Sequence, residues 1–204
     1  MNHLVVVAVI GPTGIGKSQL AIRLAQTFNG EIVSADSRQV YRHMDIGTAK
    51  PSPEELSLIP HHLINIVNPD EDFNLAQYQQ LAYRAIEDIQ QRNKLALLVG
   101  GSGQYVWSVL EGWGIPQVPP DLEFRHSLEE KATKFGKDKL YHELMEVDPI
   151  AAQRIDRHNV RRVIRALEVH SGTKTPPSQL QYKKAPPFNT LIIGLTADRG
   201  ELYH

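Results

Sequence analysis

Three observations predict an α/β fold in which helices flank a parallel sheet and a helical domain is inserted. Residues 4–10 form an apolar, β-branched run without polar alternation, which is typical of a strand buried on both faces. The run leads directly into the glycine-rich segment GPTGIGKS, and a helical pattern follows. At residues 112–120 the composition changes to GWGIPQVPP, and a highly charged helical stretch comes next. Together these features predict a P-loop NTPase-like sheet flanked by helices, with an inserted α-helical domain.

The segment GPTGIGKS matches the phosphate-loop pattern G-x-x-x-x-G-K-[ST]. Lys17 supplies a point charge and Ser18 a hydroxyl for a magnesium ion. In the following helix Leu20, Ala21, Leu24 and Phe28 share one stripe, so the positive end of the helix should face the same anion. A diphosphate is implied and a nucleotide is left open, although loops of this type are often described as ATP-binding. The predicted diphosphate- or nucleotide-binding residues are Gly11, Pro12, Thr13, Gly14, Ile15, Gly16, Lys17 and Ser18.

Length and composition narrow the class of protein. The chain of 204 residues suggests one domain, or one domain with an insertion, and its net charge of -1 excludes a generally basic nucleic-acid coat. It contains no cysteine, which fits a cytoplasmic protein. The apolar run near the start is too short to cross a bilayer, so no membrane partner is expected.

Asp36 is the first candidate for catalysis. It follows a predicted strand at residues 31–34, and the carboxyl ends of parallel strands share one edge of a sheet. Asp36 should therefore lie beside the phosphate loop, which is a suitable place for a general base. Residues 37–51 should form an ordered loop made positive by Arg38, Arg42 and Lys50. Residues 62–67 are predicted as a further strand, with His61 and His62 in hydrogen-bonding roles rather than as metal ligands.

A second candidate, Ser102, follows the predicted buried strand at residues 95–99. An ordinary P-loop ATPase has an aspartate at this strand end, whereas this chain has Gly100, Gly101 and Ser102. The hydroxyl of Ser102 can donate to a phosphate oxygen, or it can cap a helix over residues 103–110, and both readings stay open. Asn74 is predicted to cap the crossover helix before this strand, and residues 190–195 are predicted as a fourth buried strand.

The predicted domains are an α/β core (1–113), a helical insertion (114–185) and a return to the core (186–204). Within the insertion, Asp121, Asp148 and Asn159 are predicted helix caps, and Gly136 is a predicted break. Val160, Val163, Ile164 and Leu167 form the predicted buried stripe of one helix. Arginine is concentrated around this helix, at Arg154, Arg157, Arg161, Arg162 and Arg165. The cluster is either a solvated face in which Glu168 pairs with Arg165, or a phosphate-backbone contact, which is favoured.

Five segments together resemble one family: GPTGIGKS, SADSRQVYRHMDIGTAKP, PHHLINIV, LVGGSGQY and DPIAAQRIDRHNVRRVIRALEVHSGTKTP. They look like the tRNA dimethylallyltransferases, the tRNA isopentenyltransferase family, and the match runs almost end to end. The resemblance implies transfer of a dimethylallyl group from dimethylallyl diphosphate to N6 of the adenosine 3′ of the anticodon in tRNA. It also implies Mg²⁺ as cofactor, tRNA as partner and a monomer. Family members continue past the position of His204, so the resemblance implies a C-terminally truncated chain.

The resemblance also assigns roles to individual positions. Asp36 takes the proton from the adenosine amine, and Ser102 stands where the family usually has threonine, bonded to the oxygen between the allyl group and phosphate. The implied tRNA contacts are Asp36, Ser37, Arg38, Gln39, Ser102, Arg125, Arg161, Arg162, Val163, Ile164 and Arg165. Two alternatives remain: a P-loop small-molecule kinase or NTPase, and an inactive tRNA-binding fragment of the same family. The first predicts an aspartate after Val99, which the sequence lacks.

Overall fold

The computed structural model describes residues 4–197, which divide into two compact units. A sheet unit runs to Gly112 and resumes at Lys184, and a helical unit comprises Trp113–Lys183. The boundaries predicted from sequence, after residues 113 and 185, differ from these by one and two residues. No helix within the described residues is long and apolar enough to cross a membrane.

The sheet unit is built on five parallel strands. They are β1 (Val5–Ile10), β2 (Gly30–Ser34), β3 (His61–His62), β4 (Leu95–Gly100) and β5 (Asn189–Gly194). Their order is β3-β2-β4-β1-β5, so β4 lies between β2 and β1. Ile10 is level with Gly100, and Ser34 with Val99. The chain therefore leaves β1, β2 and β4 at neighbouring points of one sheet edge, as predicted for a parallel α/β fold.

Two apolar clusters cover the two faces of this sheet. Val6 and Ala8 belong to one cluster and Val7 and Val9 to the other, and all four are buried. This alternation confirms that β1 is a strand buried on both faces. The helices of this unit are α1 (Lys17–Thr27), α2 (Pro53–Leu58), α3 (Leu75–Gln91) and α4 (Gly103–Leu110). The predicted cap of α3 is confirmed, because the Asn74 side chain accepts the backbone N–H of Gln77 at 3.0 Å.

The predicted stripe of α1 is partly wrong. Ala21, Ile22 and Ala25 are its buried residues, whereas Phe28 is 59% exposed. The helix ends at Thr27, so Phe28 is its C-cap and no longer follows the helical period.

The predicted strand over residues 62–67 is also wrong, because β3 stops at His62. Leu63 and Asn65 have φ values of 64° and 55°, which no extended strand contains. The backbone N–H groups of Asn65 and Ile66 donate to the carbonyls of Gln39 and Val40 instead of continuing the sheet.

The last predicted strand exists, but it is not buried. In the described chain β5 is an edge strand paired only with β1, and Leu191 and Ile192 are 56% and 44% exposed. An apolar run in the sequence identifies a strand without showing how many neighbours that strand has.

The helical unit contains α5 (Leu122–Phe135), α6 (Lys137–Val147), α7 (Pro149–Arg154), α8 (Val160–Thr173) and α9 (Pro177–Leu180). The three predicted caps are confirmed, because Asp121, Asp148 and Asn159 accept backbone N–H groups of α5, α7 and α8. Gly136, at φ +89°, separates α5 from α6 as predicted. Leu128, Leu140, Leu144, Val163 and Leu167 are among the residues that form its apolar core.

Candidate active site

A pocket of about 320 Å³ lies where the chain leaves the central strands of the sheet unit. The phosphate loop and the start of α1 form one side of it, and the segments after β2 and β4 form another. The predicted site residues that line it are Thr13, Gly14, Gly16, Lys17, Ser18, Asp36 and Gln39. The structure therefore brings the predicted base and the predicted anion loop to one cavity.

Backbone geometry explains why glycines occupy the phosphate loop. Gly14 and Gly16 have φ values of +85° and +86°, in the left-handed region that favours glycine. A Cβ on Gly11 would lie 2.6 Å from the Leu195 carbonyl oxygen, so no larger residue fits there. Gly16 is the N-cap of α1, and the first N–H groups of that helix have no carbonyl partner within it. They are suited to bind an anion at the pocket.

Lys17 and Asp36 influence each other across the pocket. The Lys17 Nζ donates to the Pro12 carbonyl oxygen at 2.7 Å, which closes the loop on itself. Burial lowers the pKa of the Lys17 amine, and the negative charge of Asp36 opposes that lowering. Asp36 therefore lies near enough to the loop for its charge to act on Lys17.

Hydrogen bonds to its own segment fix the direction of Asp36. Its Oδ1 accepts the Arg38 backbone N–H at 2.8 Å. Three residues after Asp36, the Gln39 side chain is held at both ends. Its Oε1 accepts the Ser34 hydroxyl at 2.9 Å, and its Nε2 donates to the Ala49 carbonyl oxygen at 2.8 Å. These contacts tie the loop after β2 to the end of that strand.

Ser102 occupies the N-cap position of α4, but its side chain makes no capping bond. Instead its Oγ accepts the Ser37 N–H at 2.9 Å and donates to the Ser37 Oγ at 3.1 Å. The capping role considered from sequence is therefore wrong for the hydroxyl. Sequence spacing could not show this contact, because Ser37 follows β2 and Ser102 follows β4, 65 positions later.

Two glycines allow the exit of β4 to approach its neighbours. A Cβ on Gly100 would lie 2.2 Å from the Ala35 carbonyl oxygen, beside Asp36. A Cβ on Gly101 would lie 3.2 Å from the Gly11 carbonyl oxygen and 3.8 Å from the Lys17 Nζ. The Gly-Gly-Ser turn therefore lies between the aspartate segment and the phosphate loop.

The further residues that line the pocket, which the sequence did not assign to it, include the titratable side chains of Lys50, Glu55 and His61. The Lys50 Nζ donates to Tyr41 O, Asp45 Oδ1 and Asn65 Oδ1, so its charge braces the loop rather than facing an anion. The Nδ1 of His61 must carry a proton, because it donates to the Ile59 carbonyl oxygen at 2.7 Å. Burial lowers the pKa of this imidazole. The sequence shows these residue types but not the long-range partners that define their roles.

An aromatic pair supports the wall beside Asp36. The rings of Tyr78 and Tyr105 stack with centroids 3.8 Å apart, and the Tyr78 hydroxyl donates to the Ser34 carbonyl oxygen at 3.0 Å. Burial, followed by the nearby Tyr41 and Asp36, raises the pKa of Tyr105 to about 12. Tyr105 is therefore neutral at physiological pH.

The helical unit holds the other predicted tRNA contacts. Arg161 and Arg162 are exposed at the start of α8. Val163 and Ile164 are only 1% and 4% exposed, in the core of the unit, so their side chains cannot contact RNA. The helical period turns these two residues inward, which confirms the predicted buried stripe, and a tRNA contact at these positions stays a prediction that only backbone atoms can meet.

Arg125 and Arg165 both bind the carboxylate of Glu168, which is 2% exposed. Arg125 forms two bonds to it, at 2.8 and 2.9 Å, and the Asp121 N–H donates to it at 2.8 Å. Burial alone would raise the pKa of Glu168, but these donors together with Arg165 lower it to about 2. Glu168 does pair with Arg165, as one reading of the sequence held, but the pair is not on a solvated face.

Metal binding by protein groups alone is not supported within residues 4–197, which contain no group of three or more His, Asp or Glu side chains placed to hold an ion. Ser18 and Asp36 nevertheless present hard oxygen atoms to the same pocket. Mg²⁺ commonly binds through one or two such groups and completes its shell with substrate phosphates and water. The donor set fits a magnesium–diphosphate pair.

Comparisons with known proteins identify the family of this chain. The sequence model of the IPP transferase family matches residues 39–204. A tRNA dimethylallyltransferase of Chloroflexus aggregans is 55% identical over 203 residues, covering 100% of this chain and 68% of that protein. One from Roseiflexus sp. is 54% identical over 197 residues, covering 97% of this chain and 65% of that protein.

Solved structures agree. The tRNA isopentenylpyrophosphate transferase of Bacillus halodurans is 43% identical with a TM-score of 0.61, and the match covers 97% of this chain and 62% of that one. A eukaryotic dimethylallyltransferase acting on tRNA is 32% identical with a TM-score of 0.78, covering 96% of this chain and 49% of that one. The chain thus spans between about half and two thirds of the length of these relatives. On the family model and these identities, the chain belongs to the IPP transferase family.

Proposed function

We propose that this protein transfers a dimethylallyl group from dimethylallyl diphosphate to N6 of the adenosine 3′ of the anticodon in tRNA. The observation that carries the proposal is that the phosphate loop and Asp36 line one pocket, with the Ser102 turn between them. The relatives named as tRNA dimethylallyltransferases support the same assignment. The proposed partners are an anticodon stem-loop and the prenyl diphosphate. The protein is proposed to act as a monomer in the cytoplasm.

The proposed reaction is a displacement at the allylic carbon. The diphosphate binds the N–H groups at the start of α1 and the Lys17 ammonium, which stabilise negative charge on the departing pyrophosphate. The N6 nitrogen forms a bond to the allylic carbon as the carbon–oxygen bond breaks, and Asp36 accepts the proton that N6 loses. An aromatic amine is a weak nucleophile, so alignment of the reactants and stabilisation of the leaving group provide most of the acceleration.

Magnesium fits this proposal as a partner of the diphosphate. Ser18 would hold it through its hydroxyl, with substrate oxygens and water as the remaining ligands. When bound, the ion neutralises charge on the pyrophosphate. The protein's part is to place Ser18 at the first turn of α1, beside the phosphate loop.

Ser102→Ala is expected to lower the transfer rate by about 100-fold, because a positioned donor to the leaving oxygen is lost. A hydroxyl carries one hydrogen, so Ser102 can donate to the diphosphate only when it releases the Ser37 Oγ. The Ser37 N–H remains its donor and keeps it in place. Rapid-quench measurement of one turnover tests this effect. Ser102→Thr should retain most of the rate, and an equal loss in both variants would contradict the role.

Replacing Arg161 and Arg162 by alanine is expected to weaken stem-loop binding and to reduce the slope of log K against log salt by about 1 to 2. Both side chains are exposed and lie outside the Glu168 cluster, so they are the arginines of α8 best placed to reach phosphates. Binding titrations at several salt concentrations measure the slope. The matched control replaces two exposed lysines of α6, Lys137 and Lys139. Equal slopes in the two double variants would show that Arg161 and Arg162 belong to a solvated face and do not contact RNA phosphates.

One assay separates the proposed function from its rivals. The protein is incubated with labelled dimethylallyl diphosphate and an anticodon stem-loop, and in parallel with ATP. Label transferred to the RNA supports the proposal. Hydrolysis of ATP without prenyl transfer would indicate a kinase or NTPase, and RNA binding without transfer would indicate a non-catalytic fragment.

A further inference from the structure

Ile46 is the most exposed large apolar side chain in the described part of the sheet unit. It is 98% exposed, whereas the exposed fractions of Phe28, Leu58 and Leu191 in the same unit are 59%, 56% and 56%. Single apolar residues are common on protein surfaces, but they usually keep part of the side chain against the protein. Ile46 has no such cover, so its aliphatic surface is available for a partner.

The turn that carries Ile46 is firmly held. The Thr48 hydroxyl donates to the Met44 carbonyl oxygen at 2.6 Å, which closes the turn around Ile46. The Lys50 Nζ binds Asp45 on one side of the turn and Asn65 and Tyr41 on the other. An exposed side chain on a braced turn loses little further backbone entropy when it binds, which favours its use as a contact.

Two residues with a strained backbone flank Ile46 in the sequence. His43 and Ala49 have φ values of 61° and 48°, in the left-handed region that non-glycine residues seldom adopt. Each such residue destabilises the fold by an amount that the surrounding bonds must offset, and strain of this kind clusters at functional sites. These two residues lie three positions before and three positions after Ile46, so the turn that carries it has the kind of strain that functional sites have.

The turn also lies at the rim of the candidate active site. Ala49 and Lys50 line the pocket together with Asp36 and Gln39, and the Gln39 Nε2 donates to the Ala49 carbonyl oxygen. A molecule that reaches Asp36 in this pocket therefore has Ala49 and Lys50, at the end of the turn, among the residues around it. Arg38 and Arg42 are exposed shortly before the turn in the sequence and His43 is exposed within it, so this segment suits a polyanion.

We propose that Ile46 is an RNA-contacting wedge that inserts into the base stack beside the adenosine removed for reaction. This inference rests on the proposed function and adds a residue and a role to it. An adenosine must leave its stack before N6 can approach Asp36 in the pocket. Apolar side chains that enter base steps stabilise such unstacked states in other nucleic-acid complexes. The exposed loop bases of an RNA hairpin are the surface that such a side chain fits.

The test compares Ile46→Ala with Phe28→Ala, an exposed apolar residue at the end of α1 that lines no part of the pocket. The probe is an anticodon stem-loop with 2-aminopurine next to the target adenosine, whose fluorescence rises when the stack opens. Ile46→Ala should weaken stem-loop binding by about tenfold and remove the fluorescence rise. It should leave the salt slope unchanged, because an aliphatic contact releases no counterions. Phe28→Ala should bind within about twofold of the wild type, as a surface change away from the site.

A short linear RNA of the loop sequence distinguishes a wedge from a general contact. Its bases are already largely unstacked, so Ile46→Ala should weaken its binding less than threefold. Equal losses for the stem-loop and the linear RNA, or no loss for either, would overturn the wedge. Unchanged RNA binding with altered sedimentation would instead assign Ile46 to a protein contact. A wild-type protein that binds and modifies the stem-loop separates failure of this inference from failure of the proposed function, whereas a wild type that does neither would end both.

Discussion

Asp36→Asn is expected to lower the rate of prenyl transfer by about 100- to 10,000-fold, the range in which general bases contribute. Asparagine keeps an Oδ1 that can accept the Arg38 N–H, so the local turn should persist. The substitution removes the negative charge and the proton acceptor. A single-turnover measurement with excess protein over labelled stem-loop reports this step without interference from product release.

A second consequence of Asp36→Asn concerns Lys17. Burial lowers the pKa of Lys17 and Asp36 opposes this effect, so the variant should lower the pKa of Lys17 further. The ammonium would then be lost at a lower pH than in the wild type, and diphosphate binding would weaken from that lower pH upward. Calorimetric titration with pyrophosphate across alkaline pH measures the difference.

Asp70→Asn is the matched control for both measurements, since Asp70 is an exposed carboxylate outside the pocket. Its transfer rate and pyrophosphate binding should equal those of the wild type. An Asp36→Asn protein that transfers the prenyl group at more than a tenth of the wild-type rate would show that another group, or water, accepts the proton.

The sheet and its functional edge were predictable because their signals are local. An apolar run before a glycine-rich loop identifies β1 and the phosphate loop, and parallel topology brings the residue after β2 to the same edge. Helix caps such as Asn74, Asp121 and Asn159 are also encoded within three residues of the bonds they make. These features need no knowledge of distant parts of the chain.

Features that depend on distant partners could not be predicted in the same way. Ser102 has the sequence of a helix cap, yet its hydroxyl bonds to Ser37, which is 65 positions away. Lys50 adds to a positive segment in the sequence, but three oxygen acceptors hold it within the loop. Val163 and Ile164 are the exception, because the helical period of their arginine-rich run predicts correctly that they face the core. Composition gives the charge of a segment, whereas the fold decides which charges face a ligand.

Glu168→Gln is expected to destabilise the helical unit by about 3 kcal/mol at neutral pH, and Glu168→Ala by about 3 to 5 kcal/mol. The carboxylate is buried and accepts bonds from Arg125, Arg165 and the Asp121 N–H. Its removal leaves two guanidinium groups without their counter-ion and opens the link between α5 and α8. Hydrogen exchange followed by mass spectrometry reports the two units separately, so the loss should appear in α5 and α8 and not in β1 or β4.

The dependence of this effect on pH follows from the lowered pKa of Glu168. In the folded state the pKa of Glu168 is about 2, whereas the ordinary pKa of this carboxyl is 4.5. A carboxyl whose pKa is lowered in the folded state stabilises the fold at a pH above its pKa in the unfolded state. That stabilisation is lost as pH falls from 4.5 toward 2. The gap in stability between the wild type and Glu168→Gln should therefore be full at pH 6 and should close toward pH 2. Glu31 also has a lowered pKa, through Arg92, but it is present in both proteins and cancels in the comparison.

Glu129→Ala is the control, because Glu129 is an exposed glutamate of α5 outside the cluster. Its stability should stay within about 0.5 kcal/mol of the wild type at every pH. A gap between the wild type and Glu168→Gln that does not change between pH 6 and pH 2 would mean that the negative charge contributes nothing. Shape and hydrogen bonding would then account for the contact, and Arg125 and Arg165 would not need Glu168 as their counter-ion.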